Sequence, residues 1–171
     1  MRILIVRHAI AADRVEFALS GESDDERPLT PEGRTRMELA VRGLVRTLGS
    51  IDLLASSPLK RAMQTASIIG EAYGELPVEV ASSLSGVGDL DGIVRWLNEH
   101  HDAETIALVG HEPDLSGLIS YLLTGSRSTA IVMKKGAACL LEFDELVEPG
   151  QATLRWFLAP KQLRAMGDAD A

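Results

Sequence analysis

The chain has 171 residues, 46% hydrophobic and 25% charged, with a formal net charge of −8 and a single cysteine, Cys139. Those values fit one domain over 1–171 with a substantial core; they exclude non-specific nucleic-acid binding, which needs a basic face, and an internal disulfide framework. No stretch nears the roughly 20 apolar residues that span a bilayer, and the run Ile3–Val6 is too short for a signal-peptide core, so a cytoplasmic protein with no membrane partner is expected.

Residues 2–6 (RILIV) read as a short β-branched strand buried on both faces. Residues 9–29 are polar and acidic, with "SGESDDER" at 20–27, and predict a surface excursion carrying a short helical piece. A helix follows in "LTPEGRTRMELAVRGLVRTLG": Thr30 is a good N-cap, Pro31 suits the first helical position, and Gly49 is the expected stop. Met37, Val41, Leu44, Val45 and Leu48 fall on one face of that helix. "IDLLASS" (51–57) is a second buried strand, which turns at Pro58 into the helix "LKRAMQTASIIGEAYG". "PVEVA" (77–81) is a short strand, "DGIVRWLNEHH" (91–101) an amphipathic helix, and "ETIALVG" (104–110) a third buried strand. "PDLSGLISYLLTG" (113–125) is a helix closed by Gly125. "GAACLLEFD" and "ATLRWFLA" form a hairpin joined by an acidic turn near Glu148–Gly150. Residues from about 160 read as a peripheral tail, with "MGDADA" frayed. Strand and helix in alternation predict an α/β fold: a three-layer α/β/α sandwich with a mostly parallel sheet and a C-terminal antiparallel hairpin.

In open α/β sheets, ligands bind beyond the carboxyl ends of the strands. The first strand is followed by Arg7 and His8. The second is followed by Ser57, Lys60 and Arg61, and the third by Gly110, His111 and Glu112. Two arginines and two histidines therefore leave one edge of the sheet, beside a helix N-terminus that also favours an anion. A tetrahedral, multiply charged phosphoryl group suits such guanidinium forks. With a net charge of −8, attraction for it must be local. His100 and His101 sit at a helix C-terminus and read as surface residues. No histidine pair has the spacing of a zinc motif, so no metal is expected. Cys139 lies mid-strand with no arginine at phosphate-cradle distance, which excludes cysteine-based phosphatase chemistry.

"RHA" after the first strand, "LTPEGR" opening the first long helix, "SSPLKRAMQTA" after the second strand and "GHEP" after the third resemble, in that order, the histidine phosphatase (phosphoglycerate mutase-like) superfamily. The short length, the "DERPLT" stretch and the lean closing hairpin are most similar to its bacterial phosphohistidine phosphatase branch. The resemblance implies a phosphatase in which His8 attacks phosphorus and forms a phosphohistidine intermediate. Arg7 and Arg61 would clamp the equatorial oxygens, and His111 would donate a further hydrogen bond. Ser57, Lys60 and Glu112 are secondary candidates for the phosphate pocket. No cofactor is implied, because the arginines take a metal's part.

The sequence departs from the family pattern twice. Ala9 stands where "RHG" is usual, a small change. The stretch "VEVASSLSGVGDLDG" offers no unambiguous general acid; Asp89, Asp91 and Glu112 are the candidates. A phosphohistidine substrate breaks a labile P–N bond and needs less acid help than an alkoxide leaving group. The resulting expectation is a phosphatase acting on phosphohistidine of a signalling phosphotransfer protein, with phosphate as product. The alternatives are a phosphomonoesterase taking a small phosphorylated substrate, and a non-catalytic phosphate- or phosphoprotein-binding module.

Overall fold

A computed structural model describes residues 1–85 and 88–168 of the chain. Six strands form one sheet: β1 (Arg2–Arg7), β2 (Leu53–Ser56), β3 (Val78–Val80), β4 (Thr105–Gly110), β5 (Ala138–Glu142) and β6 (Thr153–Leu158). Their spatial order is β3-β2-β4-β1-β5-β6. The first four run parallel, and β5 pairs antiparallel with both β1 and β6. The sheet is mostly parallel with an antiparallel edge, as expected, although residues 143–152 make a longer link between β5 and β6 than a tight hairpin turn.

Alternation along β1 divides the core. Leu4 and Val6 face a cluster with α2 (Pro31–Thr47), α3 (Lys60–Ala72) and Leu163 of α6 (Pro160–Gly167). Ile3 and Ile5 face the opposite cluster, with α4 (Leu90–Glu99) and α5 (Asp114–Thr124). These four side chains are 0% exposed, which is why the strand reads as a continuous apolar run rather than an alternating one. Helices on both faces complete the α/β/α layers. Among the described residues, no helix is long and apolar enough to cross a membrane.

The local signals act as their chemistry dictates. The Thr30 hydroxyl accepts from Gly33 N at 2.9 Å and caps α2, whose first residue is Pro31. Gly125 ends α5 in the left-handed region, φ 73°. Gly49, the expected stop for α2, plays no such part: the helix ends at Thr47 because Leu48 turns extended, φ −133°, to bury its side chain.

The excursion after β1 holds α1 (Arg14–Ala18) and a 3-10 turn over Asp24–Glu26. From about 160 the structure differs from a peripheral tail: α6 lies along α2 with Leu163 1% exposed. The approach is close enough that a Cβ on Gly43 would sit 1.9 Å from the Leu163 carbonyl oxygen. Leu163 is the one large apolar side chain in that stretch to be buried, too weak a pattern to read from sequence. The expected fraying falls partly on 169–171, outside the described residues.

Candidate active site

The site follows from strand register. Arg7 of β1 pairs with Gly110 of β4, and Ser56 of β2 with Val109, so the three strands end at one level. The next residues stay tied together: His8 N donates to Gly110 O at 3.0 Å and Ser57 N donates to Val109 O at 3.0 Å. Arg61 reaches the same edge from the first turn of α3. Arg7, His8, Arg61, His111 and Glu112 all line one cavity of about 460 Å³.

His8 is 5% exposed, and its ring lies 5.1 Å from that of His111. Its Nδ1 is 2.7 Å from the Ala9 carbonyl oxygen. A carbonyl can only accept, so Nδ1 carries the proton and Nε2 keeps its lone pair for the cavity. Burial, helped by His111, Arg61 and Arg7, depresses the His8 pKa from 6.5 to about 3. The imidazole is therefore neutral at pH 7. Desolvation is the largest cause, ahead of the neighbouring cations. Ala9 is accommodated in the core, with its N–H donating to Thr65 Oγ1 at 3.0 Å.

His111 is also neutral at pH 7, its pKa lowered to about 4 by burial first and by Arg61 and Arg7 next. Its Nε2 lies 2.7 Å from the Ser57 hydroxyl, which itself accepts from Leu59 N at 3.3 Å. If Ser57 donates to Nε2, the His111 proton sits on Nδ1, a buried nitrogen with no partner among the described residues. The histidine then presents an N–H without being charged. Among the described residues Arg7 and Arg61 each leave a buried Nε without a partner, while Arg7 Nη1 is anchored on the Met133 carbonyl at 2.6 Å. Buried guanidinium N–H groups of this kind call for an anionic acceptor.

The secondary candidates separate. Ser57 belongs to the site through His111. Lys60 does not line the cavity; it is exposed and pairs with Glu26 at 3.3 Å, since the first turn of α3 turns it toward the 3-10 segment. Asp89 is spent as the N-cap of α4, accepting from Gly92 N at 2.9 Å. Asp91 is held by Tyr121 Oη at 2.7 Å and Arg127 at 2.6 Å. Neither lines the cavity, so both are displaced as general-acid candidates. Glu112 does line it, with its carboxylate accepting from Ser116 N at 3.2 Å and Ser116 Oγ at 2.7 Å.

Asp24, Arg27 and Lys135, none of them a candidate from the sequence, also line the cavity. Asp24 ties the excursion to the site: its carbonyl accepts from Arg61 Nη1 at 2.8 Å, and its carboxylate takes Arg27 Nε at 2.8 Å. Arg27 is 8% exposed, inside a stretch whose composition looks entirely solvated. The three-residue spacing of Asp24 and Arg27 in "DDER" was the available signal.

Residues 3–93 match the sequence model of the histidine phosphatase superfamily (branch 1). An uncharacterized protein of Picosynechococcus sp. is 34% identical over 137 residues, 79% of this chain and 81% of that one. The phosphohistidine phosphatase SixA of Escherichia coli (strain K12) is 27% identical over 168 residues, covering 96% and 97% of the two chains. A solved structure of the protein histidine phosphatase SixA complexed with tungstate superposes with a TM-score of 0.80 at 28% identity, over 95% of this chain and 99% of that one.

Proposed function

The chain belongs to the histidine phosphatase superfamily, and from that premise we propose that it hydrolyses phosphohistidine on a signalling phosphotransfer protein through a phosphohistidine intermediate on His8. The observation that supports this reading best is the Ala9 carbonyl holding Nδ1–H of a neutral, buried His8, which leaves the Nε2 lone pair to a cavity lined by Arg7, Arg61 and His111.

In the first step Nε2 attacks phosphorus as the bond from phosphorus to the substrate's imidazole nitrogen breaks. The leaving imidazole takes up a proton, and Glu112, one of the carboxyl groups that line the cavity, is the proposed donor. Charge spreads over the three equatorial oxygens during transfer, where Arg7, Arg61 and the Nδ1–H of His111 stabilise it. In the second step water attacks the phosphohistidine and inorganic phosphate leaves, returning His8 to its neutral form. The guanidinium groups supply the positive charge that a metal would otherwise bring.

Incubation with a phosphohistidine-bearing phosphotransfer domain and with p-nitrophenyl phosphate tests the assignment. Release of phosphate from the first should be the faster, and His8→Ala should lower it by about 10⁴-fold or more, as nucleophile removal does. Brief exposure to phosphoimidazole followed by a base quench should place the label on His8. Unchanged turnover in His8→Ala overturns the nucleophile. Preference for the monoester favours a small-molecule phosphatase, and no turnover of either substrate favours a binding module.

A further inference from the structure

A second cavity, of about 240 Å³, opens between α2, α6 and the turn at 134–136. Its cations are Arg36, Lys134, Lys135, Lys161 and Arg164, and among the described residues no carboxylate lines it. In a chain with 25 acidic against 17 basic residues, five cations around one cavity are a local reversal of the molecular charge. Among the described residues, only Arg36 of these five has a carboxylate within ion-pair distance, Glu32 at 2.5 Å. The floor is apolar: Met37 and Ala40 of α2 are 2% and 1% exposed, flanked by Ile10 and Pro160. Lys135 lines both this cavity and the catalytic one, and the segment 8–12 runs between them, with Ala9 and Ile10 on one side and His8, Ala11 and Ala12 on the other.

We propose that this cavity docks an acidic segment of the phosphorylated protein, carboxylates on the rim and one apolar side chain on the Met37–Ala40 floor, beside the phosphohistidine held at His8. The inference rests on the phosphoprotein reading above and adds a partner chemistry to it. Four cations without an ion-pair partner among the described residues, with Arg36 beside them, around a concave apolar floor fit an acidic chain with a side chain to insert; a flat lipid surface would leave the floor unfilled, and a long polyanion would be opposed by the net charge of −8. Complementary charge of this kind acts chiefly on encounter and on affinity, and is screened by salt.

The test compares two phosphohistidine peptides of equal length, one flanked by glutamates and a leucine, the other by lysines and a leucine. Wild-type kcat/KM should favour the acidic peptide by about tenfold or more, through KM, with the preference fading at high salt. The combined variant Lys134→Glu, Lys161→Glu, Arg164→Glu should lose or invert that preference while keeping wild-type kcat/KM on phosphoimidazole. A variant lacking phosphoimidazole turnover is replaced by Lys161→Glu alone, which should lower the preference in the same direction. Equal use of both peptides by wild type, or a preference that survives charge reversal, overturns the docking site. So does binding to phosphatidylglycerol vesicles without peptide discrimination. If neither phosphopeptide turns over, the phosphohistidine reading has failed on its own; fluorescence anisotropy of the unphosphorylated acidic peptide then decides the docking, which must be present in wild type and lost in the variant.

Discussion

As the proposed nucleophile, His8 must be neutral and yet sit among guanidinium groups; burial satisfies both, because desolvation disfavours the imidazolium. Two outcomes follow at this scale. With the free-enzyme pKa of His8 at about 3 and of His111 at about 4, kcat/KM for phosphoimidazole, corrected for substrate ionisation, should show no acid limb near pH 6.5. Stability should behave differently. Unfolded imidazoles titrate near 6.5, so between that value and about 4 the unfolded chain binds more protons than the folded one. Stability held above pH 6.5 is therefore lost progressively on acidification, and the urea midpoint should fall between pH 7 and pH 5. His8→Gln should blunt that fall. In the proposed mechanism Ser57 acts through His111: Ser57→Ala removes the partner of Nε2 and frees the tautomer, and should lower kcat/KM by about tenfold with His8 labelling intact.

At the scale of elements, α6 is held on α2 by a close backbone approach and by one buried leucine. Gly43→Ala places a methyl where the Leu163 carbonyl stands, and should cost about 2 kcal/mol or more in urea unfolding. Leu163→Ala leaves a cavity on the same seam and should cost about 3 kcal/mol. Both changes lie outside the cavity at His8, so the folded fraction should keep its phosphoimidazole turnover. The elements most legible in the sequence were those whose local chemistry is self-sufficient: the unbroken apolar strands β1 and β4, and α2 with its Thr30–Pro31 start. Leu48 and α6 were not, because their placement depends on what they bury against.

For the whole molecule, one sheet with an apolar layer on each face predicts cooperative unfolding. Trp96 packs against one layer and Trp156 against the other. Trp96→Phe and Trp156→Phe each leave a fluorophore on one face. After allowance for the stability change of each substitution, the fluorescence midpoint and the far-UV circular dichroism midpoint should coincide in each variant. Separate transitions on the two faces would break the expectation of a single domain.

By itself the sequence determined the strand-helix alternation and which residues follow the carboxyl ends of the strands: Arg7 and His8, Ser57 and Arg61, His111 and Glu112. These are fixed by hydrophobic runs and local caps, which act over a few residues. Only the tertiary structure decided that Asp24 and Arg27 join the cavity, that Lys60, Asp89 and Asp91 stand outside it, and that five cations from three segments face a second one. The physical reason is that a side chain's neighbours, and with them its burial and charge, are set by strand register and helix packing between residues far apart in the chain.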